Sequence, residues 1–282
     1  MKTVIASVKS LETARVNGSQ CSTQCDNVSI EEPLEILLGI RPTSQQSTYE
    51  HILQQVAVTM RTPGNDRELA AGFLFTEGII AQAADIESIE VNRCNTVHVN
   101  LKEQVEVDPL VFGRHSFMAS SCGVCGKKSI AAITVRRQFS CRPDSPLVSA
   151  DLVHSLIGQL RAFQADFKRT GGLHASCLFD SNGRIKVVKE DVGRHNALDK
   201  VIGYEFLAGN LPLNDSILMV SGRASFELVQ KAAHAGIAVI AAVGAPSSLA
   251  VKLAEECDMT LLGFVRDDRF NIYTGKHRIT GI

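Results

Sequence analysis

From residue 216 onward the chain alternates short apolar runs with helical stretches, and this alternation restricts the fold more than any other feature. Ile217 to Val220, Ile237 to Val243 and Thr260 to Val265 read as strands, with helices over Ala224 to Ala235 and Ser247 to Cys257 between them. Strand–helix–strand connections with short turns give parallel strands joined by right-handed crossovers. The expected fold is therefore α/β, layered, with a partly parallel sheet and a smaller α+β region before it.

That earlier region carries its own signals. Ile52 to Val58 reads as a strand. Asp66 to Gly78 reads as a helix, because Leu69, Phe73 and Leu74 fall at helical spacing and Gly78 supplies a stop. Val97, Val99 and Leu101 alternate with His98 and Asn100, as a half-buried strand does. After Ser149, the apolar stripe Leu152, Leu156, Leu160, Phe163 and Phe167 predicts one core-facing helix ended by Gly171-Gly172. Two alternating runs, His174 to Phe179 and Ile185 to Val188, flank Asp180-Ser181-Asn182-Gly183 and predict a hairpin. The resulting organisation is a flexible polar tail over 1–30, an α+β region over 31–118, a cysteine loop over 119–129, and an α/β core over 130–282.

Composition excludes several functions. The net charge of −1 across 282 residues lacks the basic excess of a nucleic-acid binder. The longest apolar run, Ile237 to Ala245, is too short to span a bilayer, so no membrane partner is expected. The N-terminal apolar stretch is broken by Ser and Lys and makes a poor secretory signal. Eight cysteines in a chain large enough to need no staples point to reduced thiols and a cytoplasmic protein. Cys177 and Cys257 sit within apolar elements and read as structural.

In parallel α/β sheets, ligands bind beyond the carboxyl ends of the strands. Three such ends are legible: Ser221-Gly222-Arg223-Ala224-Ser225, Gly244-Ala245-Pro246-Ser247-Ser248, and Phe264-Val265-Arg266-Asp267-Asp268-Arg269. Two are small-residue turns that open a helix, where free N–H groups and the helix dipole favour an anion, and the first and third bring arginines. A phosphate-bearing ligand fits such an edge. The alternative is that Ser247 only caps its helix and the arginines are solvated. A further polar cluster runs from Glu190 to Lys200; in it Asp191 is a possible cap and His195 a group that titrates near neutrality.

The sharpest feature is Ser120-Ser121-Cys122-Gly123-Val124-Cys125-Gly126-Lys127-Lys128. A thiolate is the nucleophile of sulfur chemistry, and nearby lysines and backbone donors favour it. Two cysteines at this spacing also exchange sulfur with each other. Three other readings stand beside this one. A zinc site would need a second pair, for which Cys21 and Cys25 are the candidates. A thioredoxin-like dithiol would need a strand–helix context and a preceding aromatic, and both are absent. Inert thiols would need apolar neighbours.

A series of segments resembles the formate dehydrogenase accessory sulfurtransferases, the FdhD family. They are Glu31-Glu32-Pro33-Leu34, AGFLFTEGII over 71–80, SSCGVCGK, TGGLHAS, EDVGRHNALDK, SGRASFELVQKA, GAPSSLAV and GFVRDDRFNIYTG, in order from residue 31 to the C-terminus. The resemblance implies a cytidine-deaminase-like α/β/α fold and a homodimer. It implies sulfur received from a cysteine desulfurase and passed to the molybdenum bis(molybdopterin guanine dinucleotide) cofactor of a formate dehydrogenase. On the matched positions, Cys122 would carry the persulfide with Cys125 assisting transfer or guarding against over-oxidation. Phe264, Val265, Arg266, Asp267, Asp268 and Arg269 would hold the cofactor, and a guanine nucleotide would occupy the same place. Arg223, Ser247 and His195 are secondary candidates. Zinc deaminases of related fold use His-x-Glu followed by Pro-Cys-x-x-Cys; here Ser121 replaces the proline and His174-Ala175-Ser176 lacks the Glu, so no zinc is expected. A noncatalytic cofactor chaperone and a dithiol oxidoreductase are the alternative functions.

Overall fold

The computed structural model describes residues 6–41, 51–92, 94–107 and 137–282. The expected cysteine loop, the boundaries near 118 and 130, and both Cys122 and Cys125 lie outside these residues. The central element is a six-stranded sheet in the order β13-β12-β11-β10-β8-β9, built from β8 (His174–Asp180), β9 (Ile185–Asp191), β10 (Ser216–Val220), β11 (Val239–Ala242), β12 (Thr260–Gly263) and β13 (Asn271–Thr274). The pairs β10–β11 and β11–β12 are parallel, as the apolar runs predict, and the remaining neighbours are antiparallel. Continuous apolar sequence in β10 to β12 reflects burial on both faces.

One face of this sheet packs Ala175, Cys177, Phe179, Ile217 and Met219 against Val153, Leu156, Ile157 and Leu160 of α2 (Ala150–Phe163). The other face, with Leu178, Leu218 and Ile240, packs on α4 (Arg194–Leu207), α5 (Phe226–His234) and α6 (Ser248–Glu256). The result is an α/β/α sandwich. The same core continues through α1 (Asp66–Thr76) into a four-stranded sheet of order β4-β3-β6-β5, made of β3 (Glu32–Ile40), β4 (Ile52–Arg61), β5 (Ile86–Asn92) and β6 (Thr96–Leu101). A small parallel pair joins β7 (Val148–Ser149) and β14 (Ile279–Thr280). The helix α1 is buried nearly all round, as a helix between two layers must be.

Two expectations are corrected. Residues 8–29, expected as a mobile tail, form a hairpin of β1 (Val8–Asn17) and β2 (Gln20–Ser29). Its turn follows Asn17 with Gly18 at φ 60°, the left-handed position that a two-residue hairpin loop requires. Both faces of the ribbon are largely exposed, which is why its composition is polar. Ser7 Oγ donates to Asp166 Oδ2 at 2.6 Å and Ser29 Oγ to Thr170 Oγ1 at 2.9 Å, tying its base to the body. The second correction concerns the stripe from Leu152 to Phe167. The helix α2, capped by Ser149 Oγ accepting from Leu152 N, stops at Phe163, and a separate short helix α3 (Ala165–Thr170) follows. Leu156 and Leu160 are buried, but Phe163 is 59% exposed and Phe167 41%. The break is held by Glu190, whose carboxylate accepts from the N–H groups of Asp166 (3.1 Å) and Phe167 (2.9 Å). The new helix start therefore has a cap from β9, far away in sequence. The predicted hairpin of β8 and β9 forms as expected: Asp180 Oδ1 accepts from Asn182 N and Arg184 N, both at 2.9 Å, around Gly183.

Candidate functional site

The carboxyl ends of β10, β11 and β12 are joined to one another by backbone hydrogen bonds. Gly244 N donates to Gly222 O at 2.9 Å, Ala224 N to Ala245 O at 3.2 Å and Ser247 N to Ala224 O at 3.0 Å. The third loop joins the second: Phe264 N donates to Gly244 O at 3.2 Å and Val265 N to Ala242 O at 3.1 Å. Gly244 permits this approach, since a Cβ there would lie 2.9 Å from the Arg223 backbone. The three loops read from sequence thus form one continuous edge. Phe264 adopts φ 53° with its ring partly exposed, a left-handed conformation that a bulky residue takes only where its surroundings impose it.

The candidate residues divide on this edge. Ser247 caps α6 through Oγ accepting from Ala250 N at 3.2 Å, the capping role weighed for it. Arg266 is also structural in part: its Nη1 donates to the carbonyls of Val243 and Val265, both at 2.8 Å. Asp267 pairs with Arg161 of α2 at 3.3 Å on the surface. Arg223, Asp268 and Arg269 are exposed, and none of their side chains has a hydrogen bond or ion pair among the described residues, although the Arg269 carbonyl accepts from Arg266 N at 2.8 Å. His195 is buried at the start of α4, with Nε2 at 3.2 Å from Ser225 Oγ and 3.5 Å from Glu227 Oε2. Because Ser225 is engaged by His195, it does not cap α5 with its side chain, and the first N–H groups of that helix have no side-chain cap.

Sequence reasoning passed over three residues that the fold brings to the same edge. His174 starts β8 opposite Asp191 at the end of β9, beside the β10 terminus. A Cβ at Gly222 would lie 3.3 Å from His174 Nδ1 and 4.0 Å from Arg194 Cδ, so these groups converge. Burial, and then the Arg194 guanidinium, push the His174 pKa below the ordinary value, which favours the neutral imidazole. Arg194 Nε is buried with no hydrogen-bond partner among the described residues. Gln164 reaches the edge from the α2–α3 break. The signal for His174 and Arg194 was the register of the hairpin, which aligns TGGLHAS with EDVGRH; nothing in sequence pointed to Gln164.

Beneath the edge, buried ion pairs fix the β9–α4 turn. Asp191 accepts from Thr62 N, Gly193 N and Asn196 Nδ2, and pairs with Lys200 Nζ at 2.7 Å. One layer lower, Lys231 of α5 holds Asp199 at 3.0 Å and Glu77 at 3.4 Å. Burial works against this ammonium, yet Asp199, Glu77 and Glu227 together raise its pKa. The charge-dense segment from Glu190 to Lys200 therefore faces inward as well as outward.

The thiols sort by environment. Cys177 is buried in β8, and burial raises its pKa; Cys141 is buried and pushed up to about 11 for the same chief reason. Cys257 is half-buried, with a pKa also raised by burial. Thiols of this kind make poor nucleophiles. Cys21 and Cys25 are exposed on β2, four residues apart along an extended strand, roughly 13 Å. They cannot serve together as two ligands of one tetrahedral ion. Among the described residues no group of three or more His, Cys, Asp or Glu side chains is arranged to hold a metal. No described helix is long and apolar enough to cross a membrane.

Comparison with known proteins places these features in a family. The model of the FdhD/NarQ family matches residues 43–280. A protein of Mycolicibacterium paratuberculosis named sulfur carrier protein FdhD is 46% identical over 273 residues, covering 94% of this chain and 96% of its own. The proteins of that name from Streptomyces avermitilis and Sulfurisphaera tokodaii are 44% and 40% identical, over 94% and 96% of this chain and 93% and 99% of theirs. A crystal structure from Desulfotalea psychrophila, described as a formate dehydrogenase accessory protein, superposes with a TM-score of 0.74 at 25% identity, covering 97% of this chain and all of that one.

Proposed function

Since the chain belongs to the FdhD/NarQ family, and its relatives are sulfur carriers linked to formate dehydrogenase, we propose that it is a sulfurtransferase with Cys122 as its persulfide carrier. The Cys122 thiolate attacks the outer sulfur of a cysteine desulfurase persulfide. A Cys122–S–SH forms and the desulfurase cysteine leaves as a thiolate, so sulfane sulfur moves with no external oxidant. Attack by Cys125 on the inner sulfur would then close a Cys122–Cys125 disulfide and release sulfide, with electrons again balanced.

The acceptor in this reading is the molybdenum bis(molybdopterin guanine dinucleotide) cofactor of a formate dehydrogenase, bound as substrate by a cytoplasmic homodimer. The observation that carries the reading is the joined edge of Gly222, Gly244 and Phe264, with Arg223 and Arg269 exposed on it. Its chemistry suits the cofactor's phosphates, for which exposed guanidinium groups and helix-start N–H groups are good partners.

Incubation with a cysteine desulfurase and L-cysteine, followed by intact mass spectrometry, tests the proposal. Wild type should gain 32 Da, one sulfur atom (about 32 Da by atomic mass), and Cys122→Ala should not, while its melting temperature stays unchanged. Guanine-nucleotide binding without any sulfur loading would favour the chaperone function instead. A cycling Cys122–Cys125 disulfide that never carries sulfur would favour the oxidoreductase.

A further inference from the structure

The β1–β2 ribbon is tied to the body of the protein only at its base. Its strands are 10 residues each and pair in one unbroken register. Ser7 and Ser29 bond to α3, but among the described residues nothing from Lys9 to Val28 hydrogen-bonds outside the ribbon. Every residue from Ala14 to Thr23 is exposed. A lone two-stranded hairpin is marginally stable in water at best, and needs further strands or a packed face to persist. The body supplies neither to the outer half of this one.

The two faces of the ribbon differ. Side chains alternate along each strand, and residues opposite one another across the ladder share a face. Lys9, Arg15 and Asp26 stand on one face, where Arg15 Nη1 donates to Gln24 Oε1 at 3.3 Å. The other carries Ala14, Val16, Cys21, Thr23 and Cys25, with Glu12 as its single charge. Val16 there is 65% exposed. The charged face is suited to water; the small, uncharged one is suited to cover. Two such faces can stack about 10 Å apart with no charge in the middle of the contact and Glu12 at its rim. Cover that is needed whenever the chain is folded must come from a partner always present in equal amount. A second copy of the chain meets that condition, and one patch serving both partners is how a two-fold pair is built.

We propose that the Ala14–Val16 face of the β1–β2 ribbon packs against the same face of a second copy of this chain. The inference rests on the homodimer in the function proposed above, and it names the surface that joins the two copies. Cys21 and Cys25 lie within that surface and give it a chemical handle.

Sedimentation of the full chain over a concentration series tests this. Wild type should be a dimer. Val16→Lys places a charge in the middle of the contact and should weaken dimerisation at least about tenfold. Gln20→Lys adds the same charge on the opposite face and should dimerise as wild type does. A monomeric wild type, an unweakened Val16→Lys, or equal weakening by both variants would each overturn the proposal. Crosslinking of wild type gives a second reading that needs no variant. Cys21 and Cys25 of one chain are roughly 13 Å apart along β2. A bismaleimide shorter than that span therefore cannot join them within a chain, and a Cys21–Cys25 link found by peptide mapping joins two chains. Cys21–Cys25 or Cys21–Cys21 links between copies support the ribbon contact, and a dimer without either overturns it. Sulfur loading on Cys122, measured on the same preparations, keeps the two proposals apart: intact loading in a protein that fails these tests removes this one alone.

Discussion

Gly72 of α1 and Gly203 of α4 bring two helix backbones into direct contact: a Cβ on Gly72 would lie 1.9 Å from Asp199 O, and one on Gly203 1.8 Å from Glu68 O. The contact lies among residues of the core shared by both sheets, such as Ala71, Phe73, Val201 and Ile202.

Gly203→Ala is therefore expected to destabilise the protein by about 1–3 kcal/mol, the range for forced overpacking. In an open helix the same change would stabilise by roughly 0.5–1 kcal/mol. The atom it would meet, Glu68 O, is backbone and cannot rotate away, so the clash outweighs propensity. Urea denaturation measures the sign, and a stabilised variant would mean that the helices separate at little cost.

The buried pair of Lys200 and Asp191 leads to a second expectation. Lys200→Met leaves the Asp191 carboxylate in the core with N–H partners but no counter-charge, at a cost of about 3–5 kcal/mol. Adding Asp191→Asn should recover part of that loss, because the uncompensated charge is then gone. A double-mutant cycle in urea checks it, and strictly additive losses would show that the pair is not coupled.

The parallel strands were legible because burial on both faces leaves continuous apolar runs, as in Ile217 to Val220. Their ends were legible for the same reason, and all three predicted loops meet on one edge. The break at Gln164 was not, since its cap comes from Glu190 and the local stripe favours one straight helix. The Gly72–Gly203 contact was equally hidden, because glycine in a helical pattern reads as a weakness and only the crossing partner reveals its use. The β1–β2 hairpin was not legible either, because a ribbon with two exposed faces lacks the apolar alternation that usually marks one.

His174 makes stability depend on pH in a defined direction. Its folded pKa lies below the ordinary 6.5, first through burial and then through Arg194. Below about pH 6.5 the unfolded chain takes up a proton that the folded chain resists, so stability is complete above that pH and falls as the solution is acidified. Wild type should therefore lose more stability than His174→Gln between about pH 8 and pH 5.5. Denaturant melts at the two pH values give the comparison, and equal losses would mean that His174 titrates alike in both states.

The two arginines of the last loop should separate structure from binding. The Arg266 side chain donates to the carbonyls of Val243 and Val265 and so braces the loop, whereas the Arg269 side chain is exposed and makes no hydrogen bond or ion pair among the described residues. Arg266→Ala is expected to lower stability by about 1–3 kcal/mol, since two acceptors lose a charged donor. Arg269→Ala should leave stability unchanged and weaken GDP binding by about 1.5–3 kcal/mol, the range for hydrogen bonds to a charged group. Sulfur loading on Cys122 should continue in Arg269→Ala, because loading requires the thiol and the donor but not the bound phosphate. Calorimetry with GDP, thermal melts and mass spectrometry of the loaded protein read the three quantities separately. If Arg269→Ala binds GDP as wild type does, Arg269 is only a solvated side chain and the phosphate surface must lie with Arg223. Loss of binding, loading and stability together would trace the effect to a damaged edge.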